Sequence, residues 1–284
     1  MSKPWILVSP SSRGIGYALT RHLLQRTTLP IIATCRSRDT SATKALLLEQ
    51  LPTLHHQDKE DQASRLVVFP LDVTDEGSIR EAAEHAAELF PPRTHHLHLG
   101  FAMPGILHPE KSPAQVDAAD AEKTFRVNTL GPLLLMKHFG ELLPRKRDEL
   151  AIPGGGGSDS GGPGKLLPLP RHATWLNMSA RVGSVSDNRL GGWYSYRASK
   201  AAVNSLTRTF DLHLQNRSGA KAMAVAYHPG TVKTGLSQEF WANVKEEKLF
   251  SPEFAAEKMC EVVCSREQEH RGRIWDWKGS EIMP

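Results

Sequence analysis

Short apolar runs alternate with amphipathic helical stretches along almost the whole chain, and this rhythm narrows the fold more than any other feature. Residues 5–8, 30–35, 66–69, 96–101, 173–178, 222–227 and 272–277 read as strands. Between them, 14–25, 40–51, 75–89, 118–143, 194–215 and 252–264 read as helices, with Thr74 the expected N-cap of the third. Strands that alternate with helices predict an α/β, Rossmann-like doubly wound parallel sheet with helices on both faces. A length of 284 residues with 39% hydrophobic content suits one large domain over 1–284. Two stretches stand outside the rhythm. The His/Asp/Glu-rich segment after Leu51 reads as a loop. Within 151–170, the run from Pro153 to Gly164 is low in complexity and has no apolar anchor, so it reads as a flexible surface insert. Because the alternation continues across it, a linker between two domains is the weaker reading.

Composition removes several function classes. No apolar run reaches membrane-spanning length. Strand-like sequence begins at Pro4, so no leader peptide is expected. Cys35, Cys260 and Cys264 are few and form no C-x-x-C pair, as expected of reduced thiols in a cytoplasmic protein. The net charge is +4 with basic residues scattered, so no nucleic-acid footprint is expected, while an anionic cofactor would suit the charge. His55, His56, His95, His96 and His98 lack ligand spacing, and no metal site is expected.

Two local patterns carry chemistry. Ser12-Arg13-Gly14-Ile15-Gly16 lies between the first strand and the first helix, where backbone N–H groups and the helix dipole favour a phosphate. Far downstream, Tyr196 and Lys200 are four residues apart on a predicted helix and share a face. An ammonium beside a phenol favours the phenolate and lowers a pKa that starts near ~10, giving a general acid/base. An ordinary amphipathic helix carries such a pair by chance often enough that the motif alone decides little. The second strand ends in Thr34-Cys35-Arg36 with Arg38 following, where an NAD enzyme would place an acid for the ribose 2′-OH. With Arg13 in the turn, these guanidiniums predict NADP(H) through the 2′-phosphate; solvated surface arginines are the alternative.

Taken together, Gly14-Ile15-Gly16, Leu71-Asp72-Val73-Thr74, Asn128, Gly183-Ser184, Tyr196 to Lys200 and His228 to Thr234 resemble the short-chain dehydrogenase/reductase family over essentially the whole chain. Gly191 to Lys200 and Phe250 to Ala255 are similar to its carbonyl-reductase-like branch, which includes the sniffer and C-factor proteins. The resemblance implies hydride transfer between NADP(H) and a small-molecule carbonyl or alcohol. It implies that Tyr196 exchanges the proton, that Lys200 tunes Tyr196 and holds the nicotinamide ribose, and that Asn128 anchors a water in a proton relay. Ser9, Ser11, Ser12, Arg13, Gly14, Ile15, Gly16 and Arg36 are the expected phosphate and ribose contacts, and Asp72 and Val73 flank the adenine. Pro229, Gly230, Val232 and Thr234 are expected over the nicotinamide. Residues 235–250, with Phe240, Trp241 and Val244, read as an amphipathic lid over an apolar substrate pocket, the alternative for each aromatic being a place in the core.

Three departures accompany the resemblance. Pro10 stands where the family has its first loop glycine, so a re-formed but tight turn is expected. Ala102-Met103-Pro104-Gly105 replaces the family's N-N-A-G, with Phe101 and Met103 as packing substitutes. Ala180 occupies the position of the family serine that binds the substrate oxygen, leaving Ser179 and Ser184 as candidates. A lost hydrogen bond to developing charge, worth about 1.5–3 kcal/mol, slows a reaction by roughly ten- to hundred-fold without abolishing it. The expected function is therefore an NADP(H)-dependent oxidoreductase, with a catalytically weak NADP(H)-binding sensor or scaffold as the alternative. Family members often dimerise through their two long helices, and homodimer and monomer both stay open.

Overall fold

In the computed structural model, which describes residues 1–52, 59–151 and 166–284, the expected alternation is present. Strand β1 (Lys3–Ser9) runs into α1 (Gly14–Arg26), followed by β2 (Ile31–Cys35), α2 (Ser41–Leu48), α3 (Lys59–Arg65), β3 (Leu66–Pro70) and α4 (Glu76–Leu89). The second half contains β4 (His95–Ala102), α5 (Ala118–Phe125), α6 (Gly131–Phe139), β5 (Ala173–Met178), α7 (Tyr194–Ser218) and β6 (Ala222–His228). It closes with β7 (Thr231–Val232), β8 (Leu249–Phe250), α8 (Pro252–Cys264), β9 (Ile274–Asp276) and β10 (Glu281–Ile282). Eight strands form one sheet in the order β10-β9-β6-β5-β4-β1-β2-β3, parallel throughout except for β10 on β9. The chain leaves β1 in one direction and β4 in the other. Their loops therefore diverge and open a crevice at the carboxyl ends of the strands.

Alternation of side chains along each strand builds a core on each face. In β1, Ile6 and Val8 pack with Leu19 and Leu23 of α1 and Met259 and Val263 of α8. Trp5 and Leu7 point the other way, to Ile79 of α4, Leu135 and Phe139 of α6 and Leu214 of α7. Burial on both faces is why these strands read as unbroken apolar runs. A bulge in the β1–β4 ladder pairs Trp5 with Leu97 and Ile6 with Leu99, so His98 is the extra residue. The bulge sends Leu97 and Leu99 to opposite faces.

Several boundaries differ from the sequence reading, each for a local reason. The N-cap of α4 is Asp75, not Thr74: the Asp75 carboxylate accepts from Gly77 N–H at 2.9 Å, while Thr74 N–H and Oγ1 both donate to Asp72. An anionic acceptor at the positive end of a helix is the better cap. The polar stretch after Leu51 contains α3, which Arg65 fastens by donating to the carbonyls of Leu24 and Leu29, both at 3.0 Å. The long helix expected over 118–143 is divided by a π-turn at Arg126–Leu130. Pro132 has no N–H, so the Asn128 carbonyl four residues back loses its α-helical donor. Gly131 N–H instead reaches Arg126, five residues back. The last strand is shorter than expected, and β10 folds back on it. The segment expected to form a lid contains 3₁₀ turns at Gln238–Asn243 and Glu246–Lys248. The core of the glycine-rich insert, 152–165, and His55 and His56 lie outside the described residues. Among the described residues, no helix is long and apolar enough to cross a membrane.

Candidate active site

The carboxyl end of β1 makes a tight turn despite Pro10. The Ser9–Pro10 peptide is cis. Ser9 Oγ accepts from Thr34 Oγ1 at 2.8 Å, Ser11 N–H donates to the Thr34 carbonyl at 2.7 Å, and Met103 N–H donates to the Ser9 carbonyl at 2.7 Å. Ser11 Oγ closes the turn on the Val8 carbonyl at 2.8 Å. The turn is thus stitched to the ends of β2 and β4. Gly14 has φ +57°, a left-handed conformation that glycine adopts freely. A Cβ on Gly16 would lie 1.9 Å from the Pro10 carbonyl oxygen, so only glycine permits this approach. Arg13 is the extended residue before α1, and neither a side-chain cap nor an acid occupies the first turn of that helix. Its N–H groups and dipole are therefore available to an anion. Ser12 and Ile15 lie in the same turn, half-buried.

Beyond the turn, Arg36 and Arg38 are exposed at the end of β2. Burial raises the Asp72 carboxyl, but hydrogen bonds from Thr74 N–H and Oγ1 and the charge of Arg36 outweigh it, and the net shift is downward. The Arg36 guanidinium is thus close enough to Asp72 to act on its carboxyl. Val73 packs on the start of α6, with its Cβ 3.1 Å from where a Cβ on Gly131 would stand.

From the other half of the sheet, α7 delivers Tyr196 and Lys200. Tyr196 is 7% exposed and Lys200 is 1% exposed. Lys200 Nζ stands 5.9 Å from the Tyr196 ring centroid and donates to the Met178 carbonyl at 2.8 Å. The expected lowering of the phenol by its neighbour is reversed here. Burial pushes Lys200 down to about 7 and raises Tyr196 above its ordinary value, because both charged forms lose water. Asn128 sits in the π-turn. Its Oδ1 accepts from Ile106 N–H at 2.8 Å, and its Nδ2 donates to the Ile106 carbonyl at 2.9 Å and to Ser199 Oγ at 3.1 Å. Ser199 Oγ in turn donates to the Tyr196 carbonyl at 2.7 Å. Ser199, unremarked in the sequence, links Asn128 to the helix that carries the Tyr/Lys pair.

The two serines nearest Ala180 have their hydroxyls engaged elsewhere. Ser179 Oγ donates to Asn204 Oδ1 at 2.5 Å, and Ser184 Oγ donates to the Met283 carbonyl at 2.5 Å. Ala180 itself is buried in extended conformation. Phe101 and Met103 are core residues, as expected of substitutes for a polar brace. Gly105 runs beside Lys200, with a notional Cβ 3.8 Å from Nζ.

The loop after β6 reaches the glycine turn. Thr234 Cγ2 is 3.3 Å from where a Cβ on Gly14 would be. Gly230, at φ +78°, turns tightly under Phe250, and Val232 is buried in the β7–β8 pair. Pro229 leads into this turn, buried. Phe240, in the segment expected as a lid, packs on Trp193 with ring centroids 4.9 Å apart, and Trp193 meets the Tyr196 ring edge-on at 6.2 Å. Trp193 has φ +52°, a left-handed conformation that costs a non-glycine residue about 1–2 kcal/mol. Nothing in the local sequence marks Trp193 for this conformation beyond the two glycines before it. His96 and His98 are far from this site, bonded to each other and to the Pro170 carbonyl.

The sheet order, the crevice and the glycine turn at the switch point define a Rossmann-like, dinucleotide-binding class of fold. No protein-family model matches the chain. Among known proteins, C-signal of Myxococcus xanthus is 30% identical over 167 residues, covering 59% of this chain and 80% of that protein. The NADPH-bound carbonyl reductase from chicken fatty liver superposes with a TM-score of 0.77 at 26% identity, covering 100% of both chains. The carbonyl reductase Sniffer of D. melanogaster shares the fold with a TM-score of 0.74 at 21% identity, again over 100% of both chains. The chain belongs to the short-chain dehydrogenase/reductase family and is carbonyl-reductase-like within it.

Proposed function

We propose that the protein is an NADP(H)-dependent oxidoreductase acting on CH–OH and carbonyl groups, with Tyr196 as the proton carrier. One set of contacts supports this reading: α1 starts behind Gly14 without a side-chain cap, Thr234 lies against Gly14, and the buried Lys200 stands beside Tyr196 and Gly105, in segments that follow the carboxyl ends of the strands. The similar chicken enzyme holds NADPH, and the residues here fit that cofactor. Gly14, Ile15 and Gly16 with Ser9, Ser11 and Ser12 would receive the diphosphate. Arg13 and Arg36 would face the 2′-phosphate, Asp72 and Val73 the adenine, and Pro229, Gly230, Val232 and Thr234 the nicotinamide end. When bound, the dinucleotide supplies or accepts the hydride.

The protein's own part is to orient and to move a proton. Burial keeps the Tyr196 phenol protonated, which is the form needed to donate to a carbonyl oxygen during reduction. Lys200, poised near neutrality, becomes the ammonium when negative charge is brought near it, and that ammonium stabilises the phenolate left behind. Asn128 and Ser199 fix the backbone of α7 at this point. Phe240, packed on Trp193, would give the substrate side an apolar wall. A homodimer belongs to the same reading, since Leu130 and Leu133 near and on α6 and Leu212 on α7 are exposed; sedimentation tests it.

A second reading has its own observation. Ala180 brings no hydroxyl, and those of Ser179 and Ser184 are bonded elsewhere, which favours a cofactor-binding protein with little turnover. Titration with NADPH and NADH, followed by stopped-flow oxidation of NADPH against aldehydes, ketones and quinones, separates the two. Turnover that Tyr196→Phe abolishes while NADPH binding persists supports the reductase. Binding without turnover supports the second reading, and no binding refutes both.

A further inference from the structure

We infer that Glu110 is a positioning residue for Tyr196, capping the helix that carries it from a separate segment of chain. The inference rests on the function proposed above.

The entry to α7 is unusual. Three consecutive residues are left-handed: Gly191 (φ +64°), Gly192 (φ +67°) and Trp193 (φ +52°). Trp193 then occupies the N-cap position without a capping side chain, and the first turn contains no acid. Ser195 and Tyr196 in that turn are buried. A buried helix start must find partners for its N–H groups. Here they come from outside the helix, from the segment that follows β4. The Glu110 carbonyl accepts from Trp193 N–H at 2.5 Å, and its Oε2 accepts from Ser195 N–H at 3.2 Å. Its Oε1 accepts from the Ser195 hydroxyl.

Glu110 is only 4% exposed, and among the described residues no cationic side chain lies within ion-pair distance of its carboxyl. A buried acid needs compensation. That compensation is the N-terminus of α7, through its N–H groups and its dipole. The entry is also held by Arg197, whose Nε donates to the carbonyls of Gly191 at 3.1 Å and Gly192 at 2.9 Å. Tyr196 therefore lies between one residue held by Glu110 and another that holds the left-handed entry. Without the Glu110 contacts, Trp193 can relax from its strained conformation. Its indole would move from the Tyr196 ring, and the first turn would fray with the phenol on it. Displacement of a reacting group by about 1 Å costs on the order of hundred-fold in rate.

Loss of a plain stabilising cap would lower stability and leave the chemistry alone, so the test reads both. Full-length wild type, Glu110→Ala and Glu110→Gln are compared for Tm, NADPH Kd, kcat, KM and the solvent deuterium isotope effect on kcat, using a carbonyl substrate that the wild type reduces. Glu110→Ala is expected to lower kcat by at least about tenfold and to enlarge the isotope effect, with KM and NADPH Kd changed less than about threefold. Glu110→Gln, which keeps one acceptor oxygen, is expected to restore most of kcat. A fall in Tm with unchanged kcat and isotope effect overturns the inference. If Glu110→Ala does not fold, Ser195→Ala takes its place, with an expected loss in kcat of about three- to tenfold; wild-type kcat in that variant overturns the inference. Absence of wild-type turnover on every carbonyl overturns the proposed function, and this inference with it. Failure of the inference alone is distinct, since the wild type then turns over and the variants match it.

Discussion

Replacing Lys200 by methionine should change how stability depends on pH, by an amount the structure sets. Lys200 is buried, and desolvation brings its pKa down from 10.5 to about 7. Between those values the unfolded chain holds a proton that the folded protein has released. Folding stability must therefore rise with pH across that window. The contribution is complete above the unfolded value and is lost as pH falls through the folded one. Between about pH 6.5 and about pH 9.5, wild type should gain about 3 kcal/mol relative to Lys200→Met. The variant also leaves the Met178 carbonyl without its donor, a loss of roughly 1–3 kcal/mol. That loss does not vary with pH, so it drops out of the comparison. Tyr227, Cys260 and Cys264 are also raised by burial, but they titrate in both proteins and cancel. The measurement is urea unfolding of both proteins without cofactor at several pH values, with m-values checked for constancy. Parallel stability curves would refute the argument, because they would mean that Lys200 keeps an ordinary pKa despite its burial. Lys200→Met should also be inactive, so any stability gained at low pH comes with loss of function.

Three further outcomes follow from the site. Arg36→Ala should weaken NADPH by about tenfold or more while leaving NADH nearly unchanged, as loss of a charge-assisted phosphate contact requires; equal losses in fluorescence titrations would remove the 2′-phosphate assignment. Ala180→Ser should raise kcat by roughly ten- to hundred-fold if the missing hydroxyl limits the reaction, and an unchanged rate in steady-state assays would mean that another group already serves. Gly16→Ala should abolish NADPH binding and lower Tm, since its Cβ would stand 1.9 Å from the Pro10 carbonyl oxygen; a normal Kd would show that the turn can move aside.

The parts of the fold that were readable in the sequence are those set by short-range pattern. Apolar runs such as 5–8 and 222–227 are strands buried on both faces, and their alternation with helices leaves a doubly wound sheet as the economical arrangement. The same short range explains the failures. Thr74 and Asp75 are adjacent and both able to cap, and the choice depended on Asp72, which takes both Thr74 donors. Helix α3 is polar by composition, and it is fastened by Arg65 to carbonyls that lie far away in sequence.

For the candidate site, sequence alone determined which residue types are available: glycines where a turn must be tight, a Tyr and a Lys four apart, arginines after the second strand, and no serine at Ala180. Those facts depend on identity and spacing along one stretch of chain. Only the tertiary structure decided which groups meet. Ser199 bonds Asn128 across 71 positions, Glu110 caps a helix 85 positions away, and Ser179 and Ser184 aim at Asn204 and Met283. Burial likewise overrode the simplest electrostatic expectation, since a Lys/Tyr pair in water would shift one way and the same pair without water shifts the other. Periodicity reports the face a residue takes on its own element; the partner and the dielectric it meets there come from segments that only folding brings together.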